Sequence, residues 1–401
     1  MTSADMTDDA TARRFRDSLI RQMTDDRYLS PKWRPAFERV PRHWFMPRLF
    51  LFTGGDRYTP LGSRADRDKW LSHVYDSDMC VTQLNGDDTA WDTAIAQGSV
   101  RGLPTCSSTE PGLMAWMLDD LGVTAGHRVL EIGTGTGYNA AILCEHLGAA
   151  SITSIDVDAA LVAEARTRLA GLGHCPLLVA GDGRDGYPGN APYDRIIATC
   201  SLPRVPAAWI EQLRPGGQMI MNVSGLLGGA MLLLRKNDSG DGAQGRFTKR
   251  WAGFLPARGA PGVADITPRD TEDGRYDTGM TTLAPDVLNT PAFAFLAWLA
   301  TQDARLYWAD LDDGRRLTCL IGLDGSWCEI YPDDGGKRQV DQGGPRRLWH
   351  LTEQAHTFWA EHQHPDWSHF GVSMQGDDQR VWLEHPAQPT PWQLPREGQT
   401  R

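Results

Sequence analysis

The stretch Arg128-Val129-Leu130-Glu131-Ile132-Gly133-Thr134-Gly135-Thr136-Gly137-Tyr138 decides the fold. Arg128 to Ile132 is a short, mostly apolar run of the kind that forms a buried strand, and Tyr138 to Leu147 carries apolar residues at helical spacing. The glycines between them let the backbone turn sharply and come close to a ligand. Free amides at the start of the following helix can face a carboxylate or a phosphate. Strand, glycine-rich turn and helix together are the opening of an α/β layer.

Outward from this stretch, strand candidates recur at Ser151 to Asp156, Leu177 to Ala180, Asp194 to Ala198 and Gln218 to Val223, with helices at Ala159 to Leu172 and Pro206 to Leu213. Such alternation predicts a parallel sheet covered by helices. Met231 to Arg235 and Phe247 to Leu255 read as two more strands across the Gly-rich turn Asp238 to Gly245, a hairpin closing the sheet edge. Upstream, Ala12 to Met23 and Pro31 to Val40 have the spacing of short amphipathic helices. Asp56 to Gly102 shows turn signals and little periodicity, so it reads as a long loop, functional or mobile. Downstream, Ala260 to Asp286 is rich in Pro, Gly, Asp and Thr and reads as a linker. Runs at Arg305 to Asp310, Leu317 to Leu323, Trp327 to Tyr331 and Arg338 to Val340 then predict an antiparallel meander. A helix over Pro345 to His362 and strands at Phe370 to Met374 and Val381 to Leu383 follow. The expected domains are residues 1–258, with helices and a substrate loop over 1–105 and the core over 106–258, and an α+β module over 259–401.

Composition bounds the function. A chain of 401 residues favours two cores, and 41% hydrophobic with 23% charged residues is ordinary for a globular protein. The formal charge of -11 opposes a polyanionic partner, because nucleic-acid affinity comes largely from Lys and Arg neutralising phosphates. The first twelve residues lack the basic-then-apolar pattern of a secretory signal, and no apolar run is long enough to span a bilayer. Seven cysteines without a C-x-x-C pair fit a reducing compartment, so the expected location is the cytoplasm. Cys144, Cys175 and Cys200 are expected to pack in the core, as are most of Trp298, Trp308, Trp327, Trp349, Trp359 and Trp382. No metal site is expected, since His362, His364 and His369 lack Cys or Asp partners at ligand spacing.

Three ligand-facing signals stand at consecutive strand ends. The first, Glu131 with Gly133, Thr134, Gly135 and Gly137, is G-x-G-x-G after an acidic residue, whereas dinucleotide enzymes carry G-x-G-x-x-G. That spacing separates the chain from an NAD enzyme. The second is Asp156, about 20 residues further on, where an acid can accept hydrogen bonds from a ribose diol. The third is Gly181-Asp182-Gly183, which positions Asp182 to receive an adenine amino group. With Val157 and Thr199 these residues form the expected cofactor set, and the cofactor they suit is S-adenosyl-L-methionine (AdoMet).

Arg128 to Leu143, Gly181 to Val223 and Val40-Pro41-Arg42-His43-Trp44-Phe45-Met46-Pro47 resemble the protein L-isoaspartyl O-methyltransferase family. The family's substrate-side run Thr-x-Ser-x-Pro is similar to Ser107-Ser108-Thr109-Glu110-Pro111, with Thr109 in place of the Ser. Trp251 to Pro256 resembles the strand that closes the family's sheet. The resemblance implies an α/β fold, a Rossmann-like class I AdoMet-dependent methyltransferase sheet with N-terminal helices, plus an additional C-terminal α+β module outside it. It implies carboxyl O-methyl transfer, with Thr109, Ser108 and Ser107 as the catalytic candidates; helix capping is the competing reading of these hydroxyls, and for Ser107 and Ser108 cofactor contact is another.

Two features differ from repair enzymes: the segment between Tyr75-Asp76 and Ser107 is longer, and Ala260 to Arg401 is expected to have no repair-family counterpart. Both resemble the branch found with ribosomally made, post-translationally modified peptides, whose members methylate an aspartate inside a cyclised peptide. Gly343 to Trp349 and Val381 to Leu383 are similar to the carboxyl-terminal part of that branch. The leading expectation is therefore a methyltransferase acting on a cyclised precursor peptide and leading to a succinimide. Repair of isoaspartyl proteins is the second, and a non-catalytic AdoMet-binding partner of a peptide-modifying complex is the third.

Overall fold

A computed structural model of the chain describes residues 10–259 and 276–396. Most of the expected linker lies outside them. The chain divides into two compact units, Met1–Cys200 with Ala208–Met221, and Ser201–Ala207 with Asn222–Arg401. Compactness thus assigns residues 222–259 to the second unit, whereas the shift in composition set the expected boundary at 258/259.

The first unit starts with α1 (Ala10–Asp25), α2 (Arg34–Arg39) and α3 (Arg42–Phe45). Leu19, Ile20 and Met23 are buried along one face of α1, and Trp33, Phe37 and Val40 are buried around α2, as their spacing requires. The segment expected as a loop is instead a folded sheet. It comprises β1 (Arg48–Gly54), β2 (Arg57–Gly62), α4 (Arg67–Val74), β3 (Cys80–Leu84), α5 (Thr89–Gln97), β4 (Val100–Arg101) and β5 (Pro104–Ser108), in strand order β4-β2-β1-β3-β5. Phe50, Tyr58, Val81 and Leu84 from the strands and Ala90 and Ala94 from α5 form its small core. Periodicity missed it because register shifts between Phe52 and Gly54 and between Val81 and Leu84 break the alternation on which strand reading depends.

After α6 (Pro111–Asp120) come β6 (Val129–Ile132), α7 (Tyr138–Leu147), β7 (Ile152–Asp156), α8 (Ala159–Gly171), β8 (Leu177–Ala180) and β9 (Tyr193–Leu202). β6 pairs in parallel with both β7 and β9, and β7 with β8. The register sets Ile132 beside Ile155 and Ala198, and Asp156 beside Ala180, so these strands end at a common edge. In parallel α/β sheets ligands bind outside the carboxyl ends of the strands. α9 (Ala207–Gln212) and β10 (Leu213–Ser224) complete the expected order.

In the second unit β11 (Gly229–Lys236) and β12 (Ala243–Phe247) form a hairpin, registered from Leu232 opposite Phe247 to Lys236 opposite Ala243; its second strand starts inside the expected turn and ends at Phe247, where the expected strand Phe247 to Leu255 begins. Two further expectations fail here. Trp251 to Pro256 is not a strand and makes a single bridge, Pro256 with Ser201; and the hairpin is not an edge, because β12 also pairs with a later strand. Strand β13 (Tyr276–Thr281) lies within the expected linker. α10 (Pro291–Thr301), β14 (Arg305–Asp310), β15 (Arg316–Ile321), β16 (Trp327–Ile330) and β17 (Arg338–Gly343) follow, in sheet order β13-β17-β16-β15-β14, then α11 (Leu348–Glu361). Phe293, Leu320, Cys328, Ile330, Val340, Leu348 and Trp349 form the core between this meander and the two helices. β18 (Phe370–Gln375), which pairs with β12, continues into β19 (Asp378–Leu383) and β20 (Pro389–Gln393).

Trp298, Trp349 and Trp382 are core residues as expected, but Trp308 is exposed on β14. Cys144 is buried, whereas Cys175 is exposed: it sits in the turn after α8 and not in the apolar segment that follows. His362, His364 and His369 are exposed, and among the described residues no three His, Cys, Asp or Glu side chains are arranged to hold a metal. No helix among them is long and apolar enough to cross a membrane.

Candidate active site

Backbone geometry builds one side of the site. Gly133 has φ +94°, and a Cβ there would stand 2.6 Å from Thr199 Oγ1. The Thr199 hydroxyl donates to the carbonyls of Ile132 and Gly133, at 3.1 and 2.8 Å, and thereby ties the end of β9 to the start of the loop. Gly135 has φ +49°, and its N–H donates to Asp156 Oδ2 at 2.8 Å. Gly137 is the left-handed residue before α7.

The strand ends supply the remaining polar groups. Asp156 is partly exposed; Oδ1 takes the N–H of Asp158 at 3.0 Å, and each oxygen keeps lone pairs that could accept from a diol. Val157 beside it is half exposed and offers an apolar surface. Gly181 donates its N–H to the carbonyl of Asp156, and Gly183 packs so tightly that a Cβ would meet Ile132 Cγ2 at 2.6 Å. Asp182 is engaged by the backbone N–H and the guanidinium of Arg184, which holds its carboxyl below the usual carboxylate range.

Glu131 stands one layer behind the surface expected for a cofactor contact. Its carboxylate is fully buried, accepting from Asn139 Nδ2 at 2.7 Å and from Ser154 Oγ at 2.6 Å, while Ser154 Oγ also lies 2.6 Å from Thr134 Oγ1. Glu131 and Thr134 thus brace the loop from within. Burial pushes the Glu131 carboxyl up to about 7.

Side chains build the side on which the acceptor is expected. Ser107 and Ser108 lie in β5, opposite Val81 and Cys80. The capping reading does not hold for them, since the N-cap of α6 is Glu110 and no side chain caps that end. Ser107 and Thr109 are partly exposed and Ser108 is buried. The two sides meet at Gly135, where a Cβ would stand 3.5 Å from Cys106 Sγ and 3.9 Å from the carbonyl oxygen of Ser107.

Three residues here carried no separate sequence signal. Arg42, part of the Val40 to Pro47 motif, is fully buried and donates to the carbonyls of Val74, Asp76, Asp78, Ser108 and Thr109. One guanidinium therefore fixes the backbone of both flanks of the acceptor side. Glu110 is half buried, and its carboxyl is pushed up first by that burial and then by Asp78, against the pull of Arg42. Gln83, buried in β3, donates from Nε2 to Asp158 Oδ2 at 3.0 Å.

A profile of the family Protein-L-isoaspartate(D-aspartate) O-methyltransferase (PCMT) matches residues 88–250. The chain is similar to the protein-L-isoaspartate O-methyltransferase of Azorhizobium caulinodans, 48% identical over 118 residues, 29% of this chain and 54% of that protein. It is 39% identical over 157 residues, 38% of this chain and 72% of the relative, to protein-L-isoaspartate O-methyltransferase 1 of Anaeromyxobacter sp.. The chain spans about half the length of the first curated relatives it matches. A solved structure titled protein-L-isoaspartate O-methyltransferase aligns with 92% of this chain and 100% of its own, with a TM-score of 0.52 and 21% identity. That alignment establishes the class I AdoMet methyltransferase fold and corrects one expectation: in fold, most of the residues after Gly259 do have a counterpart in a protein of that title. The relative from Anaeromyxobacter, matched over most of its length, and the profile across the glycine loop together place the chain in the protein-L-isoaspartate (D-aspartate) O-methyltransferase family.

Proposed function

We propose that the protein is an AdoMet-dependent carboxyl O-methyltransferase whose acceptor is an isoaspartyl carboxylate on a peptide or protein. The observation that carries this reading is the meeting at Gly135, where the glycine loop and the Ser107-to-Thr109 strand end share one surface. AdoMet, when bound, supplies an electrophilic methyl group. Glycine-loop amides, Asp156 and Val157 suit the cofactor, because a partly exposed carboxylate and an exposed apolar side chain stand at the carboxyl ends of parallel strands. The free carboxylate of an isoaspartyl residue is an α-carboxyl, with a reference pKa of about 3.5, so it is ionised at neutral pH and needs no general base to attack. Thr109 and Ser107 would orient it by hydrogen bonds, and Arg42 keeps the backbone of Ser108 and Thr109 in place. In the ester product the following backbone amide nitrogen attacks the carbonyl, methanol leaves and a succinimide remains.

A second reading, methylation of aspartate in a cyclised ribosomal peptide, is favoured by one observation. Residues 86–104 fold as α5 and β4 on the same sheet as β5, with β4 at the opposite edge, so the acceptor strand belongs to a built scaffold of the kind that can present a shaped surface to one constrained peptide. Side-by-side mass spectrometry with an isoaspartyl peptide, a linear aspartyl peptide and a cyclised precursor is the test. Preferred methylation of the isoaspartyl peptide supports the first reading, preferred dehydration of the cyclised precursor the second, and no methyl transfer to any of them refutes both.

A further inference from the structure

Between the acceptor-side sheet and the cofactor edge runs a continuous set of hydrogen bonds. The Asn85-Gly86 turn opens the segment 86–104, and Asn85 has φ +56°. Gly86 N–H donates to Thr105 Oγ1 at 2.8 Å, and Thr105 Oγ1 in turn donates to Gln83 Oε1 at 2.9 Å. Gln83 Nε2 donates to Asp158 Oδ2, whose other oxygen caps α8 through the N–H groups of Ala160 and Leu161. Asp158 N–H donates to Asp156 Oδ1, and Asp156 Oδ2 holds the Gly135 amide. Every donor in this series has one direction open to it. An ionised Asp158 only accepts, so it must face the amide nitrogen of Gln83. Thr105, having taken the proton of Gly86, gives its own to the amide oxygen.

We propose that Gln83 is a positioning residue that couples the acceptor-side sheet to the cofactor loop, so that a ligand at the Asp156–Gly135 edge tightens the segments 80–86 and 103–109, and an acceptor there tightens the cofactor edge by the same factor. The inference rests on the reading that this edge binds AdoMet. Its physical basis is that Gln83 is 4% exposed and joins a donor, the Thr105 hydroxyl, to an acceptor, the Asp158 carboxylate, with opposite ends of one amide, so neither end moves without the other. Residues 86–104 are thereby tied, through Thr105, to a residue that also touches the cap of α8 next to Asp156. Selection of the acceptor and retention of the cofactor become one equilibrium.

The test needs no acceptor. Hydrogen exchange of the full chain is followed in peptides covering 80–86 and 103–109, with and without saturating S-adenosylhomocysteine, in wild type and in Gln83→Met, Gln83→Glu and Thr105→Val. Wild type is expected to show roughly fivefold slower exchange in both segments on ligand addition, within the usual range of coupling between sites. Gln83→Met removes both bonds, Gln83→Glu sets a carboxylate against Asp158, and Thr105→Val cuts the bridge on the acceptor side without touching Asp158. All three are expected to bind ligand and lose the slowing, with Thr105→Val retaining wild-type affinity and thermal midpoint. Slowing that persists in Thr105→Val, or wild type that binds S-adenosylhomocysteine without slowing, overturns the coupling. Wild type that does not bind S-adenosylhomocysteine overturns the functional reading beneath it.

Discussion

The two sides of the site are made by different means. On the cofactor side the shape comes from the main chain: glycines at φ +94°, +49° and +87°, parallel strands ending together, and amides aimed at a carboxylate. On the acceptor side it comes from side chains, with Arg42 gripping five carbonyls and Ser107, Thr109 and Glu110 projecting from a strand and a helix start. A surface made of backbone tolerates little change and suits a ligand that never varies. One made of side chains can be altered residue by residue while the fold stays, which suits acceptors that differ.

The comparison breaks if the two sides do not fail differently. The largest effect is expected from Gly135→Val. A β-branched residue at φ +49° is strained, and the new side chain points at Cys106. S-adenosylhomocysteine affinity by calorimetry should fall by about 100-fold or more, the equivalent of some 3 kcal/mol of strain. Asp156→Ala should lower it by about 10- to 100-fold, as loss of charged hydrogen bonds does; wild-type affinity in either variant removes the cofactor assignment. Thr109→Ala should do the reverse, cutting turnover on the isoaspartyl peptide by about tenfold while S-adenosylhomocysteine affinity stays put. Equal losses in both quantities would mean the sides are not separable.

The smallest effect concerns pH. Glu131 is raised from its ordinary 4.5 to about 7 by burial, so the folded chain holds its proton more tightly than the unfolded chain. Its contribution is fully present below pH 4.5 and is lost as pH rises through about 7, a change on the order of 3 kcal/mol at most. Glu131→Gln removes that titration, so the variant's thermal midpoint should gain on wild type by a few degrees between pH 5 and pH 8. Parallel curves would show that Glu131 does not carry the shift.

This division also explains what could be read in the sequence. The turn Gly133 to Gly137 was legible because its glycines sit at positive φ, which few other residues accept, and Gly183 because a side chain there would meet Ile132; Asp156 and Asp182 were legible only by their place at strand ends. The sheet over Arg48 to Ser108 was not, since its strands are short and its register shifts. β13 was hidden by a composition that reads as linker, its residues Tyr276 to Met280 being exposed. Arg42 was visible only as part of a motif, because its work is done by contacts with residues 32 to 67 positions away. Asp182 and Glu131 were found, but their partners Arg184, Asn139 and Ser154 were not, and those partners decide whether a carboxylate faces a ligand or the interior.

The Asn85-Gly86 turn gives the molecule a clock of its own. Asparagine followed by glycine is the pair best disposed to deamidate, because the unhindered glycine nitrogen can reach the side-chain carbonyl carbon. Here Asn85 Oδ1 is held by the N–H of Leu103 at 2.8 Å, and the Gly86 N–H is committed to Thr105. Reaching the ring-closing geometry means breaking both bonds, so this turn should age slowly while the fold is intact and quickly once residues 86–104 detach. Deamidation accumulated at Asn85 would then record how long the acceptor-side segment has spent detached.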